Sequence, residues 1–125
     1  MNKEALAYWI PTTLFCAILT FSGIAHFGQL NEMVKSMTAL GYPTYFMTII
    51  GAAKLLGVVA LLAPGFGLLK EWAYAGFCFN LIGAVATHLF VADPVGEWLP
   101  PLVLLGLGAA SYHFRPAGRR IAATA

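Results

Sequence analysis

Four long apolar runs, residues 8–27, 45–62, 72–91 and 98–112, take up most of this 125-residue chain and decide what it can fold into. A helix rises about 1.5 Å per residue and a hydrocarbon layer is about 30 Å thick, so a span needs about 20 apolar residues. The first and third runs meet that length and the second is marginal. The fourth reaches only roughly 22 Å as a helix and needs local thinning of the bilayer or help from its flanks. Hydrophobic residues make up 60% of the chain and charged ones only 10%, where a soluble domain carries about 25% charged. That balance excludes a soluble enzyme domain, a nucleic-acid binder and a disordered chain. It predicts an all-α, four-transmembrane-helix bundle, one domain over residues 1–125.

Punctuation agrees with those runs. Trp9, Trp72 and Trp98 mark run ends, and Tyr8, Tyr42, Tyr45, Tyr74 and Tyr112 cluster there too, as rings that are apolar on one side and polar on the other do at a headgroup layer. Pro11 reads as a first-turn residue, where the missing N–H costs nothing. Pro43 and Pro64-Gly65 fall in connections, and Pro100-Pro101 opens the fourth run. The first run is too long for the apolar core of a cleaved signal peptide and is followed by three more. Residues 29–40 place Leu30, Met33, Val34, Met37 and Leu40 at helical spacing, with polar residues between them. This predicts a short amphipathic helix in the interface, ended by Gly41-Tyr42-Pro43.

Lys/Arg placement sets the expected orientation. Lys3, Lys70, Arg115, Arg119 and Arg120 fall on one side of a four-span layout, and Lys35 alone on the other. The predicted location is the cell inner membrane with both termini cytoplasmic. The tail, residues 115–125, is polar and is expected to fray. Cys16 and Cys78 form no C-x-x-C motif and are read as buried thiols at similar depth.

Lipid offers no hydrogen-bond partners, so polar residues inside spans must find them in the bundle, and they are the functional candidates. Lys54 comes first. It lies near the centre of the second run, where a charged lysine costs about 2.5–3.5 kcal/mol on insertion scales. No other run contains a carboxylate, so its partners are Asn80, hydroxyls, carbonyls, water or a ligand. It is either the anchor of a ligand or proton site or a structural lysine held by carbonyls. Asn80, Ala84 and Thr87/His88 share one face of the third run, and Ser22 and His26 are i, i+4 neighbours on the first. The candidate pocket is therefore Lys54, Asn80, His88, His26, Ser22 and Thr87. His26 and His88 at similar depth are also a weak signal for haem or metal between two helices, weaker than two histidines bonded to carbonyls. Ala53-x-x-x-Gly57 and Gly106-x-x-x-Ala110 are small-residue pairs that let helices approach, and Gly76 and Gly83 thin the third run for the same purpose.

Taken together, Gly41-Tyr42-Pro43, Gly51-x-x-Lys54-Leu55-x-Gly57, Glu71-Trp72-Ala73-Tyr74-Ala75-Gly76-Phe77, then Asn80, Gly83-Ala84, Thr87-His88 and Ser111-Tyr112-x-x-Arg115-Pro116 resemble the DoxX-like family of small four-helix membrane proteins. The resemblance covers roughly residues 8–116. It implies a four-helix transmembrane bundle of the bacterial inner membrane. It further implies an association with quinone-linked or oxidative-stress functions in some relatives and with assembly of membrane proteins in others.

Three readings follow. The first is a small-ligand or quinone-linked, redox-associated membrane subunit, whose polar pocket suits a quinone with apolar walls and few polar anchors. The second is a non-catalytic assembly or chaperone partner. The third is haem or metal binding through His26 and His88. A membrane redox subunit and a second copy of the chain are the expected partners besides lipid. No nucleophile–base pair, phosphate loop or metal motif points to independent catalysis.

Overall fold

The computed structural model describes residues 2–121, all helix and connection. Helix α1 runs Lys3–Phe27, α2 Asn31–Ala39, α3 Thr44–Leu62, α4 Gly67–Phe90 and α5 Val95–His113, followed by a 3₁₀ turn at Ala117–Arg119. The four long helices form an up-and-down ring in which α1 packs on α3, α3 on α4, α4 on α5 and α5 back on α1. Helix α2 lies across one end on α3 and α1, and the 3₁₀ turn sits against α4 at the other.

Three helices, α1, α3 and α4, are long and apolar enough to cross a membrane. Helix α5 is as long as α3, 19 residues, but less apolar. Phe21, Leu56 and Phe79 point outward with 69, 71 and 76% of their surface exposed. Side chains that size do not face water in numbers on a soluble monomer, and here they present a lipid-compatible wall. Inside the ring, Phe15, Cys16 and Leu19 of α1 meet Val58 and Leu61 of α3 and Tyr74, Phe77 and Leu81 of α4. Phe15 and Phe77 meet edge to face at 5.5 Å, the arrangement their quadrupoles favour.

Local sequence explains the ends. Asn2 caps α1, its Oδ1 accepting from the Ala5 N–H at 2.8 Å, with Glu4 in the first turn facing the positive end of the helix dipole. Helix α2 stops as the sequence indicates. Gly41, at φ +90°, donates to the Thr38 carbonyl and Tyr42 to the Met37 carbonyl, both at 3.0 Å, a Schellman closure that favours glycine. The same two-bond closure ends α1 at Gln29 and α4 at Ala92, where no glycine announces it.

Several expectations change. Helix α1 begins well before Tyr8, so Pro11 is interior, and its missing N–H leaves the Ala7 carbonyl without its i+4 donor. Helix α5 begins at Val95, so Pro100 and Pro101 lie inside it and not at its start. Helix α4 starts at Gly67, which draws Lys70 and Glu71 out of the connection and onto the helix. Of the four glycines singled out for packing, Gly57 alone sits at a helix contact, where a Cβ would come within 2.6 Å of the Phe77 ring. A Cβ on Gly76, Gly83 or Gly106 would meet nothing within 4 Å.

The tail does not fray over its described part, and residues 122–125 lie outside the described residues. Arg119 donates to the Leu61 carbonyl at 2.7 Å and to the Leu62 carbonyl at 3.3 Å. Its guanidinium lies 4.8 Å from the centre of the Trp9 ring. The carbonyls that α3 leaves unpaired at its C-terminus attract this cation. Lys70, buried, caps the same turn through the carbonyls of Ala63 and Gly65.

A candidate polar site around Lys54

The site begins with a close approach between α1 and α3. A Cβ on Gly51 would lie 2.5 Å from the Phe27 nitrogen and 2.8 Å from the Gly23 oxygen, so glycine is what permits this contact. Ser22 flanks Gly23 on α1, and Lys54 follows Gly51 by three residues on α3, so the crossing brings the two side chains together. Lys54 Nζ donates to Ser22 Oγ at 2.9 Å. His26, one turn above Ser22, places Nδ1 2.8 Å from the Ser22 carbonyl oxygen. A carbonyl can only accept, so this nitrogen carries a hydrogen. Ser22 Oγ lies 3.3 Å from the same Nδ1.

On its other side Lys54 faces a cavity of about 200 Å³ between α3 and α4. Ile50, Lys54 and Gly57 line it from α3, and Trp72, Gly76 and Asn80 from α4. The last three recur every four residues, so they form a single stripe. Two polar side chains from different helices thus border one small apolar space. Lys54, Ser22, His26 and Asn80 all belong to this part of the molecule.

Thr87 and His88 do not join them. Thr87 donates to the Gly83 carbonyl at 2.8 Å and lies 2.9 Å from the Tyr42 hydroxyl, tying α4 to the connection between α2 and α3. His88 Nδ1 lies 2.7 Å from Asp93 Oδ2 and closes the C-terminal turn of α4. His26 and His88 therefore take separate partners on separate helices. Among the described residues, no group of three or more His, Cys, Asp or Glu is placed to hold a metal ion.

A second set of polar contacts, toward the end that carries the chain termini, was not read from the sequence. Thr12 Oγ1 and Ser111 Oγ lie 2.6 Å apart, and the Tyr74 hydroxyl is 2.8 Å from the same Ser111 oxygen. All three residues are buried. Beyond them Glu71 accepts from Tyr112 at 2.8 Å and from Arg115 at 3.0 Å, and Arg115 stacks on the Tyr112 ring at 3.6 Å. A larger cavity of about 330 Å³ adjoins them, with walls that include Phe15, Phe77, Cys78, Leu81 and Leu105. Cys78 is exposed, Cys16 is buried in the core, and both are free thiols. The available signal was Thr12 and Ser111 themselves, hydroxyls within apolar runs.

A family model described as the DoxX-like family matches residues 10–111. No curated protein and no solved structure was found to match the chain.

Proposed function

The chain belongs to the DoxX-like family, and from that premise we propose that it is a small-ligand or quinone-linked, redox-associated membrane subunit. Its binding pocket is the cavity beside Lys54. The observation that carries this reading is a lysine at mid-helix bonded to Ser22 on one side and bordering a cavity that also touches Asn80 on the other. A polar group within a membrane bundle is expensive unless used, and functional sites are where such groups collect. Apolar walls with a few convergent polar groups are the usual make-up of a small-molecule site. Ser22 holds the lysine in place, Lys54 and Asn80 offer hydrogen bonds to a carbonyl or anionic group, and His26 extends the polar line toward the α2 end.

In this reading all four long helices cross the bilayer. Helix α5 closes the ring between α1 and α4, and its 19 residues span roughly 28 Å at about 1.5 Å per residue. The cationic end faces the cytoplasm of an inner membrane. The supporting residues there are Lys3, Lys70, Arg115, Arg119 and Arg120, against Lys35 at the other end. A quinone-linked role places the protein beside a membrane redox subunit that exchanges electrons with the pool.

The test is native mass spectrometry of the gently purified chain with extraction of bound lipid, together with its visible spectrum. The expected result is a co-purifying quinone or similar amphiphile that is lost in Lys54→Met. A colourless, empty protein carrying a specific membrane partner would overturn the reading in favour of an assembly role. A Soret band would overturn it in favour of haem.

A further inference from the structure

We propose that the ligand of the Lys54 cavity is an anionic amphiphile, a carboxylate carried on an apolar chain or ring; this rests on the ligand-binding reading above and, within it, selects an anion over a neutral quinone. The argument begins with the carboxylates. Glu71 is paired with Arg115 at 3.0 Å, Asp93 with His88 at 2.7 Å and Glu32 with Lys35 at 3.8 Å. Glu4 and Glu97 are exposed in the first turns of α1 and α5. Among the described residues Lys54 thus has no ion pair, and no carboxylate is in reserve to provide one. An ammonium taken out of water needs acceptors for its three hydrogens, and a counter-charge offsets its cost further. Buried Lys70 finds carbonyl acceptors at the end of α3, where Lys54 does not. Ser22 supplies one acceptor and no charge.

The remaining hydrogens border the cavity, whose opposite wall carries Asn80. A carboxylate has two oxygens, one for Lys54 Nζ and one for the Asn80 amide N–H, and its charge neutralises the lysine. A neutral carbonyl accepts a hydrogen bond but leaves the charge uncompensated. Charge-assisted hydrogen bonds are roughly twice as strong as neutral ones, so the site favours the anion. The apolar part has a way out. A Cβ on Gly76 would meet nothing within 4 Å, and both Gly76 and Trp72 are exposed, so the cavity opens outward between α3 and α4 where lipid chains lie.

The experiment presents the full chain, in mild detergent, with three probes in separate titrations followed by native mass spectrometry: oleate, oleyl alcohol and a short-chain ubiquinone. Oleate and oleyl alcohol share a chain and differ in the charge of the head. The expected result is that the wild type retains oleate over oleyl alcohol by about tenfold or more, and that Lys54→Met abolishes this preference. Gly76→Leu, which fills the opening and leaves Lys54 and Ser22 in the sequence, should weaken retention of every probe. Equal retention of oleate and oleyl alcohol, stronger retention of the ubiquinone, or an oleate preference that survives Lys54→Met would each overturn the inference while leaving a ligand pocket standing. Failure of all three probes would overturn the pocket reading as well.

Discussion

The two polar clusters inside this bundle have the same raw materials and opposite outcomes. Thr12, Ser111 and Tyr74 join α1, α5 and α4 through hydroxyls that serve one another, and all three are buried. Lys54, Ser22 and Asn80 join α1, α3 and α4, but the lysine has donors left over and a cavity beside it. A polar cluster that closes on itself holds helices in register, and its chemistry is used up. One with unmet hydrogen-bonding and charge has capacity left to bind a ligand, which is the role proposed for Lys54. Neutral hydroxyls can satisfy each other in pairs, whereas an ammonium has three hydrogens to place. Lys70 places its own on the carbonyls of Ala63 and Gly65, and Lys54 has Ser22 alone among the described residues.

That contrast can be broken at several points. The largest effect should come from Gly51→Ala, which sets a Cβ against backbone of α1 and forces apart the crossing that brings Ser22 to Lys54. Overpacking against backbone that cannot yield should cost about 3 kcal/mol or more, read as a drop in Tm in detergent, and ligand retention should fall with it. A Tm unchanged by Gly51→Ala would mean that the two helices do not meet this closely. Ser111→Ala should cost about 1–3 kcal/mol, since it strands the Thr12 and Tyr74 hydroxyls together, and should leave ligand retention as it was.

Cutting the tail clamp should do less. Arg119→Ala should destabilise by about 1 kcal/mol and speed tryptic cleavage after Arg120, with the four-helix core intact. Lys54→Met should change stability least, or raise it, because Lys54 is half-buried and replacing an ion withdrawn from water by an apolar side chain of similar length is often neutral or stabilising. Its effect should appear in ligand retention alone. If Lys54→Met instead lowers Tm as far as Ser111→Ala does, the lysine is a structural strut and the contrast between the clusters fails.

Much of this architecture is legible in composition and spacing. The amphipathic stretch expected over 29–40 is α2, Asn31–Ala39. The apolar runs mark all four long helices, though short at the ends. Helix α4 begins at Gly67 and α5 at Val95 because residues such as Lys70, Glu71 and Glu97 continue a helix readily while breaking an apolar run. Hydropathy reports where lipid is tolerated, and helical hydrogen bonding carries on past that limit. Lys54 as the central candidate is equally legible, since a lone lysine amid apolar residues stands out without a structure. Its partner was less so: Ser22 was one of several hydroxyls, and nothing in the spacing of α1 says which of them faces α3.

By itself, then, the sequence determined an all-helical membrane protein with apolar outer walls, a capped amphipathic connector and one intramembrane lysine in need of company. Those properties are set residue by residue, through transfer free energy and backbone propensity, and they survive any arrangement of the helices. The tertiary structure decided what depends on two helices meeting at a particular height and rotation. Gly23 rather than Gly106 makes a close crossing, Thr87 and His88 leave the pocket for the ends of α2 and α4, and the tail arginine closes the C-terminus of α3. An i, i+4 pattern fixes which residues share a face but not what that face touches. Here the approach of two backbones at Gly23 and Gly51 supplied that missing piece.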